Sequence, residues 1–238
     1  MAVYKIFPSK DATIYSGLPT TNAGRDEILE ISSINSSNAI GVVEGYDDIR
    51  RTLIQFDDSD LTILNNFSDK PFKTYLRLFL AEAANLSQNY TIECYPVYQN
   101  WTMGTGKFVD SPNPKNGVSW YTAGAYNEGI IWNDTSGDHS YLYTTGGGTW
   151  NSAYTSTQSF NYISNKDVSI DVTNTATAWF SGSIPNYGLL LKLTGSIELY
   201  KSSSLETKFF SMDTHTIYPP CLEMRWDDST YNTGSIDY

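Results

Sequence analysis

The feature that most constrains this chain is a period of two. Short runs in which apolar and polar residues alternate recur along its length. A strand sends successive side chains to opposite faces of a sheet, whereas a helix brings a face round only every three or four residues. In EILEISSI (27–34), Leu29 and Ile31 fall on one face, and in RTLIQF (51–56) Ile54 and Phe56 do. KTYLRLFL (73–80) sets Leu76, Leu78 and Leu80 against Tyr75, Arg77 and Phe79, so both faces are expected to be covered. NYTIECYPV (89–97) puts Tyr90, Ile92 and Cys94 together. YGLLLKL (187–193) is apolar without alternation, as in a strand buried on both sides. SIELY (196–200), KFFSM (208–212) and CLEMRW (221–226) read as further strands, the last with Leu222, Met224 and Trp226 opposite Glu223 and Arg225.

Turn signals punctuate these runs at Gly17-Leu18-Pro19, Asn116-Gly117, Gly146-Gly147-Gly148 and Pro185-Asn186. Two short helices are expected, one over Asp60–Asn65 capped by Ser59 and one over Asn174–Trp179 capped by Thr173. Many short strands with few helices predict an all-β fold, a single antiparallel jelly-roll β-sandwich, rather than a parallel α/β sheet. The 238 residues suit one such domain over 1–227, with a polar, patternless tail at 228–238. Residues 100–165 form a long-loop region rich in Gly, Asn, Ser and Tyr. Trp101, Trp120, Trp132 and Trp150 are placed to pin it to the sandwich.

Composition excludes several functions. The net charge of −11 argues against binding nucleic acid, which needs a basic stripe, and against docking on an anionic membrane. No run is apolar enough for a transmembrane helix, and the opening MAVYKIFPSKDATIY lacks the pattern of a signal peptide. Ser, Thr and Asn supply 27, 25 and 18 residues, so hydroxyls and amides rather than charges keep the surface wet. Such a surface suits life outside cells. Together with the absence of an export signal it points to a virion component, made in a host cytoplasm and released by lysis. The alternative is an extracellular protein whose signal was removed.

Material for catalysis is thin. The histidines are His139 and His215, and the cysteines Cys94 and Cys221. A Cys–His dyad would lack a glycine-rich nucleophile elbow and a third orienting group, so no enzyme is expected. Both thiols are expected to be buried in strands, with a bridge between them left open, and His215 to hydrogen-bond in its turn. A zinc site lacks ligands. The weak calcium candidates are Asp57, Asp58 and Asp60, with Asp134 and Asp138, and Asp227 and Asp228, as further oxygen-rich turns. Their ordinary role is to cap helices and solvate loops, and no cofactor is expected. Exposed aromatics beside polar groups can bind sugars or partners, and Trp101, Trp120, Trp132 and Trp150, with Tyr121, Tyr126, Tyr141 and Tyr143, could form such a platform. Trp150, which follows a flexible triglycine, leads the contact candidates, with Tyr141, Tyr143 and Tyr126.

Several stretches resemble the DNRLRE-type domain family. DATIYSGLPTTNAGRDEILEI is similar to its opening strand, Pro-Thr-x-Asn-x-Gly turn and second strand, and RTLIQFDDSDL and KTYLRLFL to the strands that follow. VYQNWTMGTG, NGVSWYTAG and IIWND resemble its tryptophan stations. SIDVTNTATAWFSGSIPNYGLLLKL matches most closely, including the short helix carrying Trp179, and KFFSMDTHTIYPPCLEMRW resembles the closing pair. The resemblance spans residues 10–227, and the specific part is the order of the set. It implies a jelly-roll sandwich of the kind found in carbohydrate-binding modules, secreted enzymes and virion proteins. The 201–217 segment and the Trp120–Trp150 region look longer than in secreted members, so no glycan site carries over. The style is most like virion structural proteins of tailed phages of marine bacteria. That implies a tail, neck or capsid-decoration piece that contacts other virion proteins in a symmetric assembly. The alternative is a carbohydrate-binding module, extracellular or receptor-binding.

Overall fold

The structure is a computed structural model and describes residues 2–34, 48–63, 71–86, 89–132, 147–199 and 204–227. It is an all-β sandwich of jelly-roll type built from two antiparallel sheets. The smaller sheet orders β1 (Ala2–Ile6), β12 (Cys221–Trp226), β5 (Phe72–Leu78) and β9 (Val168–Asp171) as β1-β12-β5-β9. The larger contains β2 (Lys10–Tyr15), β3 (Ile28–Ile34), β4 (Asp48–Gln55), β6 (Leu80–Ala84), β7 (Tyr90–Pro96), β8 (Ser156–Phe160), β10 (Leu189–Leu193) and β11 (Leu205–Phe210). Its path runs β6-β11-β3-β4-β10-β7-β8, with β2 also paired to β4. The 73–80 run divides at Phe79, β5 joining one sheet and β6 the other, so the chain changes layer within a single apolar segment.

Alternation assigns the faces. Leu29, Ile31, Ile54, Tyr90, Ile92, Cys94, Leu189, Leu191 and Leu193 line the inner face of the larger sheet, and Leu76, Leu78, Ile170, Leu222 and Met224 meet them from the smaller. Each such aliphatic side chain contributes about 1.5–3 kcal/mol by leaving water. The residues between them on the larger sheet face the other way, and several of these are buried as well. Ile14, Ile49, Leu53 and Leu190 form a second core with Val97, Trp101, Val118, Trp120, Trp132 and Trp150. Leu189–Leu191 is therefore apolar on both faces because the strand lies between two cores.

Four expectations are corrected. SIELY is not a strand: residues Gly195–Glu198 form a helical turn, α3, in which Ile197 N and Glu198 N both donate to Thr194 O. The turn carries Glu198 under the larger sheet, where two buried cations hold it. The first helix, α1, spans Asp58–Leu61 and so begins before Ser59. The second, α2, spans Thr173–Phe180, with Thr173 inside it; the Asp171 carboxylate accepts from Thr173 N and Thr173 Oγ1 at 3.0 and 2.6 Å. The end of the 100–165 region is not loop but strand β8, paired to β7. The tail at 228–238 lies outside the described residues. No helix among the described residues is long and apolar enough to cross a membrane.

Candidate functional site

The outer face of the larger sheet is where the long connections converge. Asn22 ties them down: its Nδ2 donates to Met103 O and Val118 O at 2.7 and 2.9 Å, and its Oδ1 accepts from Gly106 N at 2.8 Å. Trp101 Nε1 donates to Tyr187 O at 2.9 Å, and Trp132 Nε1 to Ser119 O at 3.0 Å. Each ring thus fills the second core while its N–H stays satisfied, which buried indoles require.

Beneath this layer lies a charge cluster. Arg51, 0% exposed, forms a two-pronged pair with Glu198, 1% exposed: Nε and Nη2 each donate at 2.9 Å to a different carboxylate oxygen. Arg51 Nη1 donates to Gly147 O at 2.6 Å, so all three guanidinium nitrogens are used. Lys192 Nζ lies 3.5 Å from Glu198 Oε2 and 3.1 Å from Glu93 Oε2, and donates to Leu193 O. The Arg51 guanidinium sits 4.9 Å from the Trp120 ring centroid and 5.3 Å from that of Trp150, and Lys192 Nζ 5.9 Å from Trp150. Burial acts to raise the Glu198 carboxyl; the Arg51 and Lys192 charges outweigh it and hold the group below its ordinary value. Among the described residues, two cations, two carboxylates and two indoles meet in this cluster. The cluster ties Gly147 and the α3 turn to the larger sheet.

A second charged region ties the 211–213 turn to the sheets. Asp11 is buried and accepts from Met212 N at 2.7 Å; burial pushes its carboxyl up to about 7. Asp26 receives Phe108 N on both oxygens, at 3.1 and 3.2 Å, and burial raises it to about 6.

The contact candidates separate. Trp150 is 8% exposed and packed between Tyr95, Arg51 and Lys192, so the ring offers little surface to a ligand. The glycines before it explain why: Gly147 and Gly148 take φ of +80° and +94°, and these let the chain press onto the sheet. Tyr141 and Tyr143 lie outside the described residues. Tyr126 is 48% exposed, with Lys115 Nζ 5.6 Å from its ring. It sits on a turn over 121–132, closed by Ala123 N donating to Ile130 O and Trp132 N donating to Tyr121 O. Tyr121, Ile130 and Ile131 on this turn are exposed as well. Sequence reading missed both isoleucines because IIWND resembles a buried station; Trp132 is the buried anchor, and the residues before it face out.

Asp57, Asp58 and Asp60 surround the start of α1, and Asp227 follows β12; Asp134, Asp138 and Asp228 lie outside the described residues. Among the described residues no three His, Cys, Asp or Glu side chains are grouped to hold a metal ion. Cys94 and Cys221 are free and buried, and burial raises both thiols. The His215 side chain is 89% exposed, with Nε2 3.7 Å from Glu27 Oε1, beyond hydrogen-bond distance. His139 lies outside the described residues. No family model matches the chain, and no curated protein matches it in sequence.

Proposed function

We propose that this chain is a non-enzymatic structural protein of a tailed-phage virion, a tail, neck or capsid-decoration piece that works through contacts with neighbouring virion proteins. The observation that carries the reading is the 121–132 turn. It presents Tyr121, Tyr126, Ile130 and Ile131, each between 39% and 48% exposed, while Trp120 and Trp132 on either side are buried in the second core. Grouped exposed apolar and tyrosine side chains on an anchored backbone are what a contact surface needs, since tyrosine is enriched at interfaces and a fixed backbone loses little entropy on docking. Symmetry in a particle would multiply such small contacts. The DNRLRE-type resemblance supplies the virion setting.

The test is mass spectrometry of purified particles of the phage that encodes the chain, run with wild type and with a Tyr126→Ala/Ile131→Ser double variant. Wild type should be present at a fixed copy number. The variant should fold, since exposed substitutions shift stability by only about 0.5 kcal/mol, yet be depleted from particles. Absence of the wild-type chain would remove the reading.

A further inference from the structure

The loop over 161–166, between β8 and β9, is tied from within. Asn161 Oδ1 accepts from Ile163 N and Ser164 N at 3.1 and 2.9 Å, and Ser164 Oγ donates to Asn161 O at 3.0 Å. Lys166 Nζ folds back and donates to Asn161 O, Tyr162 O and Ser164 O at 2.7, 3.3 and 2.6 Å, so each of its protons is used. On this fixed backbone Tyr162 and Ile163 stand 81% and 86% exposed, and Ile163 is the most exposed large apolar side chain among the described residues. A rigid apolar knob suits a docking contact, because it loses little entropy on seating. A hollow of matching chemistry lies on the same chain. A cleft of about 530 Å³ opens between α1, the end of α2 and the 182–186 loop, and Leu61, Trp179, Phe180, Ile184 and Pro185 give it apolar walls. Asp58 also lines it, and Asp57 and Asp60 stand exposed beside it.

Strand register puts knob and cleft at opposite ends of the sandwich. Phe160, the last residue of β8, lies opposite Tyr90 at the start of β7, so the loop leaves there. Leu189, which follows the cleft loop, lies opposite Pro96 at the end of β7 and Ile54 near the end of β4, which leads into α1. The smaller sheet agrees, since the loop precedes β9 and α2 follows it. The length of β7, about 20 Å, keeps a knob from its own cleft. We infer that the Tyr162–Ile163 knob of one copy seats in the α1–α2 cleft of the next. Because donor and acceptor surfaces differ, the contact is head-to-tail and repeats from copy to copy, as a ring if the rotation closes and as a filament if it does not. Charge selects this pairing. The one charge on the loop is Lys166, which pairs with no carboxylate among the described residues, and seating brings it to the carboxylates of the cleft rim. Elsewhere two chains of net charge −11 repel each other. The inference goes beyond the contact surface at 121–132 and uses none of its residues.

The experiment follows the mass of the full chain by sedimentation equilibrium from about 10 µM to 1 mM, a range that reveals even a weak contact. Wild type should grow in mass with concentration, with no stop at the dimer short of ring closure. Ile163→Asp spoils the knob and Phe180→Ala opens the cleft wall. Both positions are exposed, and each variant should associate about tenfold or more weakly with its thermal midpoint unchanged. An equal mixture of the two variants should form a dimer at wild-type affinity and nothing longer, because the intact knob of one fits the intact cleft of the other. That recovery also shows both variants to be folded. Wild type at monomer mass up to about 1 mM overturns the proposal, as do unchanged association in either variant and a mixture that gives no dimer. Tyr126→Ala/Ile131→Ser should associate as wild type does. Loss of association there would assign the self-contact to the 121–132 turn and overturn the proposal as well. Self-association and particle incorporation read different surfaces, so either result can fail alone.

Discussion

Glu198→Gln is the sharpest perturbation of this fold. The substitution keeps shape and volume but removes the charge between Arg51 and Lys192, whose side chains are 0% and 7% exposed. Glu93, 20% exposed, would remain beside Lys192. Breaking a buried pair by removing one partner costs about 3–5 kcal/mol, because the other charge stays buried without compensation. For a chain of this length each kcal/mol moves the melting temperature by about 2–4 °C, so the variant should melt about 6–20 °C below wild type. Urea denaturation followed by tryptophan fluorescence measures the same loss, since Trp120 and Trp150 pack on the cluster. Replacing both partners together, Arg51→Met with Glu198→Leu, should recover much of the loss, since paired apolar side chains leave no stranded charge. The pH dependence has a definite sign. A folded carboxyl held below its unfolded value contributes stability above about pH 4.5, and this is lost as pH falls through the folded value. A Glu198→Gln melting temperature within about 2 °C of wild type, equivalent to less than 1 kcal/mol, would refute the anchoring role.

Three further outcomes are expected. Gly147→Ala places a Cβ 2.5 Å from Arg51 Nη1 and 2.9 Å from Trp120 Cζ2 at a φ of +80°; it should lower stability by about 1–3 kcal/mol in chemical denaturation, and a neutral result would mean the segment does not press on the cluster. Asp11, raised to about 7, keeps its proton in the folded chain where the unfolded chain has lost it, so stability should fall as pH rises from about 4 to 7 and then level off. Asp11→Asn, which can still accept from Met212 N, should be the more stable form at pH 8, by up to about 4 kcal/mol, and a pH profile unchanged by this substitution would contradict that. A chelator should leave the melting temperature unchanged; a fall reversed by added Ca²⁺ would revive Asp57, Asp58 and Asp60 as ligands.

The strands were legible where one face is buried and the period therefore shows, as at Leu29 and Ile31 or Tyr90, Ile92 and Cys94. The second core was legible only indirectly, through the unbroken Leu189–Leu191 run and the four pinning tryptophans. Arg51 and Lys192 hid the rest, since a charged residue in a strand reads as solvent-facing unless its partner is known. That partner, Glu198, lies 147 residues from Arg51 and belongs to a five-residue alternating run too short to tell strand from turn. Trp150 illustrates the ambiguity of glycine. A glycine run permits motion or close approach, and at Gly147 and Gly148 it permits close approach. The exposure of Ile130 and Ile131 comes from spatial placement, which one-dimensional periodicity does not carry.

Contact through the 121–132 turn is tested most directly by amine-reactive cross-linking mass spectrometry on intact particles. Lys115, whose ammonium lies 5.6 Å from the Tyr126 ring, is the reporter. The expected result is a recurrent cross-link from Lys115 to a different virion protein, lost when Tyr126 and Ile131 are replaced. Lys115 links confined to this chain, with the double variant retained in particles at wild-type copy number, would contradict it.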